Sequence, residues 1–231
     1  MVTFLTKETT ESLIGTKIKN LDLYQKAFTH KSALKEYEQL NESFETLEFI
    51  GDSVLGFVIT KFLFDQYESK QEGFLTKART KLVRGETLAN IAKILGLEKM
   101  VVMDEKGMRN GWNNNPKILE DVFEALIGAL YMDLGLLHAK EFVLRIYNDP
   151  KYIDLNLIMI DDNFKDHLMR YCQLNNWQLP EYRVSGHHEG IFYIDIYVNG
   201  QFMSRGAAKS KKQAEQNAAK LFFEQLKKYR N

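Results

Sequence analysis

Glu45-Thr46-Leu47-Glu48-Phe49-Ile50-Gly51-Asp52 decides how the rest of the chain is read. At about 100° per residue, Glu45, Glu48 and Asp52 fall within roughly 60° of one helical face. The residues around them are apolar: Phe44, Leu47, Phe49, Ile50, Val54, Leu55, Phe57 and Val58. An all-round apolar helix belongs in a core. Three like charges in a core are costly unless something compensates them. Mg²⁺, which takes hard oxygen ligands, is the simplest compensation. A solvated acidic stripe is the bland alternative, and the apolar surroundings argue against it.

A second acidic pair lies further along. Asp121 and Glu124 stand at i, i+3 in Ile118-Leu-Glu-Asp121-Val-Phe-Glu124-Ala-Leu-Ile-Gly128, again in a strongly apolar run. Gly51, Gly56 and Gly128 interrupt the two helices, although glycine weakens a helix interior by about 1 kcal/mol relative to alanine. Their presence predicts that two backbones approach closely. Packed face to face, the helices would pool five carboxylates around one small space, which predicts a metal site.

The 231 residues suffice for one large or two modest domains. The longest apolar stretch, Ala125 to Met132, falls far short of the roughly 20 residues that span a bilayer. No membrane partner is expected. The N-terminal residues lack a basic region followed by an apolar one, so no secretory signal is read. A single cysteine, Cys172, excludes an intrachain disulfide and makes a reducing compartment, by default the cytoplasm, the expectation. Net charge is zero, yet residues 161–231 carry 11 Lys+Arg against 8 Asp+Glu. A basic module joined to an acidic one suits a nucleic-acid binder attached to a metal-dependent site.

The hydrophobic pattern predicts helices over Leu21–Thr29, Ser43–Tyr67, Thr76–Val83, Thr87–Leu95, Pro116–Met132 and Leu136–Tyr147. Gly85-Glu-Thr reads as a break, and Gly107 to Asn115 as a polar loop. After Asp161 the pattern changes. A helix over Asn163–Asn175 precedes a short strand, Glu181–Ser185, and a turn, Gly186-His-His-Glu-Gly190. Strands over Ile191–Val198 and Gln201–Gly206 flank Asn199-Gly200, a strong hairpin signal. Ser210–Tyr229 closes as a helix. The fold class is therefore two domains, an all-α domain followed by an α+β domain of order α-β-β-β-α. The boundaries are 1–150 for the first, 151–160 for a linker and 161–231 for the second.

The first domain resembles the endonuclease domain of the ribonuclease III family. The resemblance rests on Phe44-Glu45-Thr-Leu-Glu48-Phe-Ile-Gly-Asp52-Ser-Val-Leu, Glu72-Gly73-Phe-Leu-Thr-Lys, Leu82-Val-Arg-Gly-Glu-Thr-Leu-Ala and Leu119-Glu-Asp121-Val-Phe-Glu124-Ala, in that order. Ala27-Phe-Thr-His30-Lys-Ser matches a further segment, with His30 read as a packed structural residue. The second domain resembles a double-stranded RNA-binding domain through Lys165, the Gly186–Gly190 turn with His188, and Lys209-Ser-Lys211-Lys212-Gln-Ala. Cations at a helix N-terminus oppose its dipole, so an anionic ligand there resolves the conflict.

The resemblance implies a Mg²⁺-dependent endoribonuclease, with Mn²⁺ able to substitute. Its products from double-stranded RNA carry a 5′-phosphate, a 3′-hydroxyl and two-nucleotide 3′ overhangs. It makes Glu45, Glu48, Asp52, Glu72, Asp121 and Glu124 catalytic. Glu48, Asp121 and Glu124 hold one ion, Asp52 orients water, and Glu45 and Glu72 serve a second, substrate-recruited ion. It implies a homodimer with Phe49 in the interface, and RNA contacts by Lys165, His188, Lys209, Lys211 and Lys212. In the first RNA-binding helix, Met169 and Arg170 stand where the family offers a Gln-Glu pair toward ribose hydroxyls. The turn before Phe192 is one residue shorter than the family's. The reading from another class is a protein that sequesters duplex RNA without cutting it.

Overall fold

A computed structural model describes residues 5–156 and 163–229, with side chains through 226. The chain divides between 159 and 160 into two compact units. In the first, helices α1 (Lys7–Ile14), α2 (Leu21–Ala27), α3 (Glu45–Gln66), α4 (Glu72–Leu82), α5 (Gly85–Leu95), α6 (Glu105–Arg109), α7 (Pro116–Leu134) and α8 (Leu136–Tyr147) follow one another. Short 3₁₀ turns occupy Lys31–Lys35, Leu97–Lys99 and Trp112–Asn114. The predicted connector over 151–160 lies in part outside the described residues, and Ile153 within it is buried in the core of the first unit.

The hub is α7. Asn115 caps its start by accepting a hydrogen bond from the Lys117 amide at 2.9 Å, with Pro116 in the first turn, and Gly135 ends it at φ 85°. Every residue from Val122 to Leu130 is buried. α3 crosses it with almost no side chain between. A Cβ on Gly51 would overlap the Glu124 carbonyl oxygen, and one on Gly128 would overlap that of Leu47. The close approach read from the glycines therefore holds for this pair. Gly56 differs, since nothing lies within 4 Å of the place its Cβ would take.

Four local readings need correction. α3 is not apolar-buried all round: Phe49, Phe57 and Phe64 are 78%, 58% and 60% exposed. α4 starts at Glu72, one turn earlier than its apolar pattern, so Glu72 is helical. Gly85 opens α5 where a break was read. The Gly107–Asn115 loop is partly helical, because Asp104 caps α6 by accepting from the Gly107 amide at 3.1 Å.

The second unit runs α9 (Phe164–Leu174), β1 (Glu181–His188), β2 (Ile191–Val198), β3 (Gln201–Ala208) and α10 (Lys211–Tyr229). The strands form an antiparallel sheet in the order β1-β2-β3. Leu168 and Cys172 of α9, Ile196 and Val198 of β2, and Ala218, Ala219 and Phe222 of α10 form its core. Small residues let α10 lie close on the sheet, where a Cβ on Gly206 would overlap backbone atoms of Ala214 and Ala218. The five-residue turn read at Gly186–Gly190 is not one. β1 continues through His187 and His188, with His188 paired to Ile191. Only Glu189 and Gly190 turn, at φ 51° and 75°, the signature of a two-residue type I′ hairpin.

Candidate active site and nucleic-acid interface

The crossing of α3 and α7 builds a cleft of about 500 Å³ lined by Glu45, Glu48, Phe49, Asp52, Val83, Lys117, Glu120 and Glu124. Glu48 from the first turn of α3, and Asp121 and Glu124 one turn apart on α7, each bring an oxygen within 4.8 Å of the others. The missing side chains at Gly51 and Gly128 allow this: wider helix spacing would separate the acids. Of the three, only Glu124 is buried, and Glu45 and Asp52 are exposed. The site is thus an open cleft with a buried floor, not the dry interior that the apolar sequence suggested.

The charge has an electrostatic cost. Burial, the Asp52 charge and the Glu120 charge push Glu124 up to about 8. Burial and the neighbouring Asp121 raise Glu48 as well. Glu45 moves the other way, because Lys31 hydrogen-bonds it at 3.1 Å. Raised carboxylates gathered at one point are the state a hard divalent cation relieves. An all-oxygen donor set fits Mg²⁺ or Mn²⁺ and gives no soft ligand for zinc or copper.

Lys117 and Glu120 enter the cleft without having been singled out by sequence. Lys117 Nζ lies 2.7 Å from Asp121 Oδ1 and 3.5 Å from Glu120 Oε1. Burial disfavours the ammonium form, yet the contact with Asp121 and the surrounding acids outweigh it and raise the pKa. The i, i+4 spacing of Lys117 and Asp121 was the available signal. Glu72 stands apart. It is exposed at the start of α4, accepts a hydrogen bond from the Thr76 hydroxyl at 2.7 Å, and does not line the cleft. His30 Nδ1 accepts from the Ser32 amide at 3.2 Å and caps a 3₁₀ turn, in keeping with a structural residue.

In the second unit the cations sort into two groups. Lys165 pairs with Glu215, Arg170 with Asp166, Arg183 with Glu181, Arg205 with Asp195 and Lys220 with Glu224. Lys165 also sits 4.5 Å from the Tyr182 ring centroid, so it pins α9 to α10 and β1. Lys209, Lys211 and Lys212 are exposed at the junction of β3 and α10, and no described acid pairs with them. His188 leans toward Tyr193, with ring centroids 6.4 Å apart.

Residues 20–150 match the family model described as ribonuclease-III-like, and residues 164–226 match the double-stranded RNA binding motif. The chain is 45% identical over 220 residues to a protein of Paramecium bursaria Chlorella virus 1, covering 94% of this chain and 78% of that one. It is 35% identical over 209 residues to Ribonuclease 3 of Borreliella afzelii, covering 87% and 84%. The nuclease domain of ribonuclease III from Campylobacter jejuni superposes with a TM-score of 0.56 at 35% identity, covering 61% of this chain and 94% of that structure. No described helix is long and apolar enough to cross a membrane. With both halves matched in sequence, and the acidic cleft in place between α3 and α7, the chain belongs to the ribonuclease III family and is an endoribonuclease carrying a C-terminal double-stranded RNA-binding motif.

Proposed function

We propose that this protein is a Mg²⁺-dependent homodimer that cuts double-stranded RNA to 5′-phosphate and 3′-hydroxyl ends with two-nucleotide 3′ overhangs. The observation that carries the reading is the convergence of Glu48, Asp121 and Glu124 where α3 crosses α7. These three would hold the ion, which supplies water activation and charge neutralisation at the phosphate. Asp52, on the cleft wall beside Glu124, orients the attacking water. Glu45, held by Lys31, faces the same space and serves the second ion. Glu72 keeps its assignment to that ion on the resemblance alone. Lys209, Lys211 and Lys212 supply phosphate contacts.

The dimer reading is supported by an exposed aromatic line. Phe49, Phe57 and Phe64 fall within roughly 80° on α3, a solvent-facing apolar strip of the kind that marks a protein interface. Gly56 beside it leaves room for another backbone. A lone buried Cys172 suits a reducing compartment such as the cytoplasm.

The test is incubation of the protein with a labelled duplex of about 30 bp, roughly twice the span of one RNA-binding domain, with Mg²⁺ and then with Ca²⁺. Cleavage in Mg²⁺ with binding in both ions supports the proposal. Binding in both with cleavage in neither would instead show a sequestering protein.

A further inference from the structure

The solvent-facing side of the sheet in the second unit carries aromatic rings that the core does not use. Side chains alternate along a strand. Ile194, Ile196 and Val198 of β2 are buried, so Tyr193, Asp195 and Tyr197 between them point away from the helices. Residues paired across an antiparallel sheet share a face. Phe202 of β3 pairs with Tyr197 and Arg205 with Asp195, and from β1 Arg183 also pairs with Asp195. Tyr193 and Tyr197 are half-buried, while Phe202, Arg183 and Arg205 are exposed. The strip reads ring, guanidinium, ring, with the Tyr193 and Tyr197 positions about 13 Å apart.

The rings and cations hold one another in place. Tyr197 meets Phe202 edge to face, with centroids 5.9 Å apart and planes at 74°. Arg183 Cζ lies 4.3 Å from the Tyr197 centroid. Asp195 is only 5% exposed, and accepts from Arg205 Nε at 2.6 Å, Arg205 Nη2 at 2.9 Å and the Ser185 hydroxyl at 2.9 Å. A guanidinium has five N–H donors. Asp195 engages two of them from beneath, so the surface presents the cation and hides its acid. Glu181, across from Tyr197, is an exposed acid there and holds Arg183 at 2.6 Å. Cross-strand pairs of this kind also steady a sheet, so a binding role must show in variants that keep the sheet.

We propose that this face binds a single-stranded RNA segment, stacking its bases on Tyr193, Tyr197 and Phe202 and meeting its phosphates with Arg183 and Arg205. Rings interleaved with exposed guanidinia are complementary to unpaired bases on a polyanionic backbone. Duplex RNA does not fit here, since its bases stack on one another and show no open face. The strip also lies on the side of the sheet away from Lys211, which sits 5.7 Å from the Phe192 ring centre on the helix side. The inference rests on RNA being the ligand of this unit, and adds a second form of RNA to the duplex already proposed.

The experiment measures binding of the full chain in Ca²⁺ by fluorescence anisotropy. The probes are a labelled RNA single strand of about 12 nucleotides without self-complementarity and a blunt RNA duplex of about 30 bp. Tyr197→Val with Phe202→Val removes two rings and keeps strand-favouring residues. The double variant lowers single-strand affinity by at least about fivefold, the least that one base–ring stack is worth. It leaves duplex affinity where it was, which also shows that the unit stays folded. Arg183→Gln lowers the slope of log single-strand affinity against log salt by about 0.7. Replacing Lys209, Lys211 and Lys212 by alanine weakens the duplex and leaves the ring-dependent difference for the single strand in place. Equal single-strand affinity with and without the rings overturns the proposal, as does single-strand binding that only the lysine variant abolishes. A double variant that dissociates copies of the chain in sedimentation also overturns it, since the face would then join protomers. A wild-type chain that binds neither RNA overturns the functional reading as well, whereas one that binds the duplex but not the single strand overturns this inference alone.

Discussion

The two units each gather like charges that the chain leaves incompletely neutralised, and they do so in different surroundings. In the nuclease unit the gathered charges are carboxylates on the wall and floor of a cleft, where burial has already raised Glu124 to about 8. Lys117 compensates only part of them. In the RNA-binding unit they are lysines on an open surface, surrounded by five cations that each have an acid of their own. The contrast teaches what each site selects. A half-buried cluster demands a small, dense cation, which keeps part of its water shell, and holds it by geometry. An exposed cluster attracts an extended polyanion through a field that salt screens. Precision at the first and tolerance at the second suit an enzyme that must place a phosphate accurately on duplexes of many sequences.

The comparison breaks first at Glu124. Glu124→Gln keeps the shape and removes the charge, and it should lower cleavage by more than about 100-fold, beyond the range of an outer-shell change, with duplex affinity in Ca²⁺ retained. Single-turnover cleavage and anisotropy measure the two. Replacing Lys209, Lys211 and Lys212 together by alanine should act the other way round. The slope of log affinity against log salt should lose about three units, and cleavage of saturating duplex at low salt should persist.

Smaller effects sharpen it. Gly51→Ala places a methyl group against the Glu124 carbonyl, and should destabilise the fold by about 3 kcal/mol in urea titrations while widening the site. The metal-free protein should also respond to pH. The folded chain holds a proton on Glu124 up to about 8, above the ordinary 4.5. The stability this contributes is full below pH 4.5 and is lost as pH rises through 8. Mg²⁺ binds the ionised form and restores it. Its addition should therefore raise the melting temperature more at pH 8.5 than at pH 6, and an equal rise at both would contradict the assignment.

Much of this was legible in the sequence because helical period and charge speak locally. Glu45, Glu48 and Asp52, with Asp121 and Glu124, announced two acidic faces, and Gly51 and Gly128 announced their contact. What escaped depends on neighbours that are distant in the chain. Phe57 and Phe64 look like core residues until the packing of α3 shows which side is already full, whereas the resemblance had already set Phe49 apart as an interface residue. Gly186-His-His-Glu-Gly190 reads as a turn by composition, yet cross-strand pairing to Phe192 and Ile191 extends β1 through both histidines. Lys165 is assigned to RNA by the resemblance, and the fold adds Glu215 beside it, which no local pattern shows. Two helices, α1 and α6, show no apolar period: Leu13 and Ile14 are the only apolar residues of α1, and α6 has five residues. Their caps, Thr6 with Thr9 and Asp104 with Gly107, were the signals present.

The central claim is that α3 and α7 cross closely enough to hold one divalent ion among Glu48, Asp121 and Glu124. Anomalous diffraction from crystals soaked in Mn²⁺ tests it most directly. The account predicts a single strong peak with oxygens of all three residues at about 2.0–2.3 Å, in the range of hard-ion coordination. A peak coordinated elsewhere, or three carboxylates splayed apart with no density between them at saturating Mn²⁺, would contradict it.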